Sequence, residues 1–347
     1  MPGFADIVGH EQIIQHLKNA VSMKKISHAY IFDGPERSGK MMLAEAFAEA
    51  LLCERNAHTE PSETGSGVIS SIGEGCHQCR SCKQALNKNH PDILYVTHEK
   101  PNTIAVSDIR QQLNGTIDVK PYNAESQYKI YIVDEAEKMN EQAQNALLKT
   151  LEEPPAYAVI LLLTTNADSF LQTIRSRCVT LELTAVADEK IHRHLMRKYQ
   201  VVDYKAEVCV AFAQGNVGRA IMLAGSQDFN ELKDATIKLV RRIAEIELSD
   251  VMGEVKAIEE FDQANDFFDL LMLWYRDVLI AKATSGQGKL IYKDQAHEIA
   301  KQAENSSYEG LNNIIEAIEN ARRRIRANVN MDMTLELLLL NIKNYLA

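Results

Sequence analysis

Two hydropathy regimes divide the chain. In its first half, short and almost continuous apolar runs recur: "HAYIFDG" at 28–34, "DILYVT" at 92–97, "KIYIVD" at 129–134, "AVILLLTT" at 158–165 and "VTLEL" at 179–183. Helical patterns such as "MMLAEAFAEALLC" and "NEQAQNALLKTLEE" lie between them. Runs apolar at every position, alternating with helices, predict a parallel sheet covered on both faces. After Leu183 no strand pattern follows and the chain reads as helix to its end. The expected fold class is therefore α/β over 1–183, followed by a small helical unit at 184–225 and a larger all-helical unit at 226–347. Residues 57–75, rich in Ser, Gly and Thr without periodicity, read as a loop.

Length agrees with more than one domain, because single cores rarely grow past roughly 250 residues and this chain has 347. A formal net charge of −10 argues against a surface that coats nucleic acid, so any DNA contact is expected to be local. The N-terminus "MPGFADIVGHEQ" lacks a secretory pattern, and the longest apolar runs, such as "VILLL" at 159–163, fall far short of the ~20 residues a bilayer requires. A cytoplasmic protein without a membrane segment is the expectation.

The first candidate chemistry is "DGPERSGKMM". Gly34, Gly39 and Lys40 reproduce G-x-x-x-x-G-K of a phosphate-binding loop, between a strand and a helix whose N-terminus attracts phosphate. Met41 stands where a Ser or Thr hydroxyl would hold magnesium. A chance turn is the bland alternative. The run "IYIVDEAEKM" delivers Asp134 and Glu135 to the same sheet edge, to hold magnesium through water and to polarise an attacking water, or else to cap a helix. Thr164, Thr165 and Asn166 end another strand, where a terminal phosphate would be sensed.

Six cysteines in a cytosolic chain do not predict disulfides. Cys53, Cys76, Cys79 and Cys82, the last three in "CHQCRSC", suit tetrahedral zinc. An iron–sulfur cluster and unligated thiols are the alternatives; a ferredoxin-like run would place its fourth cysteine close behind, before proline, and not upstream. Cys178 and Cys209 read as core residues, and His77 as a bystander to a shell completed by sulfur.

Taken together, "HAYIFDGPERSGK", the cysteine insertion after the loop helix, "VDEAEKMNEQAQNALLKTLEEPP" and "IRSRC" resemble the bacterial clamp loaders of the AAA+ class, over nearly the whole chain. The resemblance implies a helical lid at 184–225 and an oligomerising collar at 226–347. It makes Arg177 of "SRC" an arginine finger that reaches ATP on a neighbouring subunit, a surface arginine being the alternative. It makes Arg219 of "GNVGRA" a second sensor. It implies structural zinc, and ATP or ADP binding left doubtful by Met41. The partners implied are the gamma/tau and delta subunits of DNA polymerase III and, through the complex, a sliding clamp and primed DNA. Met41 favours a largely non-hydrolysing subunit; surviving Lys40, Asp134 and Glu135 keep an ATP-hydrolysing gamma/tau-type subunit as the alternative. "MDMTLELLLLNIKNYL", apolar on more than one helical face, is expected to meet a neighbour or else to be buried in its own bundle. "ARRRIRAN" at 321–328 reads as a solvated basic face.

Overall fold

The computed structural model describes residues 3–57, 73–98, 100, 103–122, 127–247, 250–259, 264–284, 288–327 and 329–346. Most of the 57–75 loop expectation thus lies outside the described residues; at its near end Ala57 closes a helical turn, Glu54–Ala57. The chain divides into two compact units, 1–190 with 215–218, and 191–214 with 219–347.

The first unit holds a five-stranded parallel sheet in the order β2-β3-β4-β1-β5. Its strands are β1 (Ala29–Asp33), β2 (Ile93–Val96), β3 (Lys129–Val133), β4 (Ala158–Thr164) and β5 (Val179–Glu182), one in each predicted run. Central β4 is buried at all seven positions.

Side-chain alternation explains why the runs are apolar throughout. Tyr30 and Phe32 of β1 join Val159, Leu161 and Leu163 of β4 in one core. Ala29 and Ile31 join Ala158, Ile160 and Leu162 in the other. Helices α1 (Glu11–Ser22) and α2 (Lys40–Leu52) pack into the first core, and helix Glu141–Glu152 into the second, so both strand faces need apolar residues. Burying one such Leu or Phe contributes about 1.5–3 kcal/mol. The Asn140 side chain accepts the Ala143 N–H at 2.8 Å and so starts helix Glu141–Glu152.

The second unit is helical among its described residues, around Phe267, Phe268, Trp274, Tyr275 and Tyr292. Trp274 Nε1 donates to Gln302 Oε1 at 2.6 Å, which gives the buried indole its partner. Asp277, wholly buried, accepts the backbone N–H groups of Ile291 and Tyr292 at 2.7 and 2.8 Å. The last helix, Met331–Leu346, buries Leu335, Leu338, Leu339 and Ile342 but exposes Met333, Leu337 and Tyr345. In the basic run, Arg322 pairs with Asp269 and Glu319. Among the described residues no helix is long and apolar enough to cross a membrane.

Candidate phosphate-loop site and cysteine cluster

Strand β1 hands the chain to the glycine loop at Asp33, and the Gly34 N–H continues the ladder by donating to the Thr164 carbonyl at 3.1 Å. The two loop glycines serve different needs. A Cβ at Gly34 would lie 2.8 Å from the Leu183 Cβ, so the position requires close approach. Gly39 has open space around it but a φ of +100°, which side-chain-bearing residues avoid. It sits at the N-cap of α2 and turns the following helix toward the loop.

Lys40, the first residue of α2, is buried and folds back on that loop. Its Nζ donates to the carbonyls of Gly34 at 2.6 Å and Pro35 at 2.8 Å. Burial lowers its pKa, against the attraction of Glu137, Asp134, Asp33 and Glu36. A cavity of about 430 Å³ opens beside it, lined by Glu36, Arg37, Gly39, Lys40, Met41, Asp134, Glu135, Glu137 and Thr165 among others. That size suits a small-molecule ligand. Four carboxylates face two cations on this wall, so bound phosphates would need a cation of their own. The Met41 thioether is a soft, weak donor with little affinity for hard magnesium.

The two acidic candidates stand at the β3 edge as predicted, already engaged. Asp134 Oδ1 accepts the N–H of Glu135 at 2.9 Å. Glu135 has a left-handed backbone, φ 49°, and its carboxylate meets Lys138 Nζ at 2.7 Å and His98 Nε2 at 3.4 Å. The hydrogen bond from Lys138 chiefly holds its pKa below the usual range. Thr165 Oγ1 donates to Glu137 Oε1 at 2.8 Å. Sequence reasoning passed over Glu137, Arg37 and His98; Glu137 follows Glu135 by two residues in the quoted run, whereas Arg37 and His98 carry no signal beyond position.

Arg177 is not among the residues lining this cavity. It follows the turn Gln172–Arg175; one guanidinium nitrogen lies 3.0 Å from Glu152 Oε1, and the other donates to the Thr173 carbonyl at 2.9 Å. About a third of the side chain is exposed. Arg219 belongs to the second unit, where it lies 3.9 Å from both Asp266 and Asp269.

Cys53 directly follows α2, whereas Cys76, Cys79 and Cys82 bracket the start of helix Arg80–Leu86. Their four sulfurs lie within 4.8 Å of one another. Cys76 and Cys82 are 3.8 Å apart, the edge of about 3.8 Å that a tetrahedron with metal–sulfur bonds near 2.3 Å requires. Two backbone N–H groups turn toward sulfur, Cys79 to Cys76 at 3.3 Å and Cys82 to Cys79 at 3.4 Å. A hydrogen bond from Cys82 draws the Cys53 thiol down, while the same bond pushes Cys82 up. Burial alone raises Cys178 to about 12 and, as the largest cause, Cys209 to about 11. The donor set fits a thiophilic divalent metal, and the two other cysteines stay outside it.

His77 stays outside the four-sulfur group but is not idle. Its Nδ1 lies 2.8 Å from the carboxylate of Glu49, a buried residue of α2. Glu54 adds a second tie, accepting the Ser81 N–H at 3.2 Å. A glutamate inside an apolar helix pattern was the available signal.

The family model described as "DNA polymerase III, delta subunit" matches residues 9–187, and that described as "DNA polymerase III, delta subunit, C terminal" matches residues 230–344. The chain is similar to DNA polymerase III subunit delta' of Bacillus subtilis, 29% identical over 96% of this chain and 95% of that protein. It is also similar to subunit tau of the same organism, 28% identical over 85% of this chain but only 53% of the relative. A solved gamma subunit-related protein from Thermotoga maritima aligns over 96% of this chain with a TM-score of 0.44 at 18% identity. The first family model alone spans more than half of the sequence, and the chain belongs to the DNA polymerase III delta subunit family.

Proposed function

We propose that this chain is a delta-prime subunit of the DNA polymerase III clamp loader, a largely non-hydrolysing AAA+ member that helps to place a sliding clamp on primed DNA in the cytoplasm. The observation that carries the reading is Met41. A phosphate loop with both glycines and the lysine in place, but a thioether at the magnesium position, keeps the architecture without the metal ligand. Similarity to a delta' subunit along nearly the full length of both chains supports it.

Arg177 acts in trans in this reading. It is held at Glu152, off the chain's own cavity, and a planar, permanently charged guanidinium suits a transferring phosphoryl group on a neighbour. Gamma/tau and delta are the partners. The exposed Met333, Leu337 and Tyr345 of the last helix form part of the collar contact. Zinc at Cys53, Cys76, Cys79 and Cys82 has a structural role, closing the insertion after α2. Arg219, the lid at 184–225 and the collar at 226–347 keep the roles that the resemblance gives them.

An ATP-hydrolysing gamma/tau-type subunit is the second reading, favoured by the survival of Lys40, Asp134 and Glu135 around the cavity. Magnesium-dependent hydrolysis by the isolated chain decides between them, and complexes reconstituted with Arg177→Ala test the trans role. The variant is expected to assemble normally yet to lose part of the clamp- and DNA-stimulated ATPase, because one of several sites loses a contribution of ~10³–10⁵. Arg177→Lys should rescue poorly. Unchanged turnover in assembled Arg177→Ala complexes, or robust magnesium-dependent turnover by the purified wild-type chain alone, overturns the proposal.

A further inference from the structure

In the second unit, His192 on helix Asp188–Tyr199 and Asp203 and Glu207 on helix Asp203–Ala213 come together, each offering one donor atom within 4.8 Å of the others. Asp203 and Glu207 are four residues apart, hence on one helix face. The turn between the helices brings His192 opposite them.

The Asp203 side chain is about half exposed, but two buried atoms set this group apart from a fully solvated charge cluster. His192 Nε2 and Asp203 Oδ1 are 3.1 Å apart, but the imidazole nitrogen is buried and makes no hydrogen bond. Glu207 Oε2 is likewise buried without a hydrogen bond, although Glu207 Oε1 meets Lys293 Nζ at 2.5 Å. Lys293, also 3.9 Å from Asp203, offsets one carboxylate charge and leaves Glu207 Oε2 without a hydrogen bond. Buried polar atoms normally find partners. One imidazole nitrogen and two carboxylate oxygens form the donor set of a borderline divalent cation, with zinc–ligand bonds near 2.0–2.2 Å and ligand–ligand edges of about 3.3–3.6 Å. The 3.1 Å edge is close to this.

We propose that His192, Asp203 and Glu207 form a second metal site, for Zn²⁺ or a similar divalent transition-metal ion, separate from the cysteine cluster and open at its fourth position. The metal would tie two consecutive helices of the second unit, and Lys293 would hold the outer oxygen of Glu207.

The test is metal content and cobalt spectroscopy on the full chain, dialysed against Zn²⁺ or Co²⁺ at micromolar excess. The wild type should retain one equivalent more than either His192→Ala or Glu207→Gln. The thiolate-to-cobalt charge-transfer absorption, which reports the cysteine cluster alone, should be equal in all three chains and so also verify folding. The extra equivalent in the wild type should contribute only weak ligand-field bands, as nitrogen and oxygen ligands do. Equal metal content in all three chains overturns the proposal, and so does a loss in both variants that takes the thiolate absorption with it.

Discussion

At the scale of single residues, chemistry here depends on what is already bound to each group. Lys40 spends its ammonium on two carbonyls of its own loop, and Glu135 spends its carboxylate on Lys138 and His98. A ligand entering the cavity must displace these contacts before gaining its own. Cys79 has two duties, as a sulfur of the cluster and as the N-cap acceptor of helix Arg80–Leu86. Cys79→Ser should therefore abolish stoichiometric metal retention, and thermal melting should show the insertion loosening at lower temperature while the sheet's circular dichroism persists. Metal retained at wild-type level would contradict this. The cysteine spacing was fully legible in the sequence because metal ligands must recur at short fixed intervals. The Lys138 partner of Glu135, three residues on, is a local spacing, but His98 reaches Glu135 and Glu49 reaches His77 only through folding, so those pairs were not legible.

At the scale of elements, every strand lay within its predicted run, since burial on both faces writes an unbroken apolar signature. Strand order is a different matter. It places β4 beside β1 and β3 at the centre, and no local pattern encodes that choice. Helix α2 was legible as a helix, but not its two buried glutamates, Glu45 and Glu49, whose partners Lys88, Tyr95 and His77 are distant in sequence. Helix Glu141–Glu152 depends on a local device instead, the Asn140 side chain on the Ala143 N–H. Asn140→Ala should cost about 1 kcal/mol of stability, read as a lower denaturation midpoint with an unchanged slope. A wild-type midpoint would mean that packing alone fixes the start of this helix.

For the molecule as a whole, hydropathy predicts three units, 1–183, 184–225 and 226–347, while the structure divides into two, with 191–214 grouped with 219–347 and the segment 215–218 in the sheet unit. There the Asn216 side chain donates to the Glu36 carbonyl at 2.7 Å and the Gly218 N–H donates to that of Arg37 at 3.2 Å. A four-residue return to an earlier unit leaves no hydropathy signature, so sequence periodicity could not reveal it. These contacts tie the return segment to the phosphate loop directly.

The cysteine cluster also bears on how this chain can change over time. Both ends of the 22-residue stretch between Cys53 and Cys76 meet at one point, and those ends are anchored, Glu54 by the Ser81 N–H and Asn56 through the Ala50 and Glu74 carbonyls, so length added between the anchors costs the entropy of closing a larger ring. Doubling that length costs about 0.6 kcal/mol, less than one poorly packed core methylene. Insertions between Ala57 and Gly73 should therefore be nearly free, and a flexible tag of about twenty residues placed there should leave metal content and melting temperature within error of the parent. A clear drop in either would show that added length costs more than ring closure. Length added between the anchored ends is therefore a change that evolution can make at small risk to the phosphate loop.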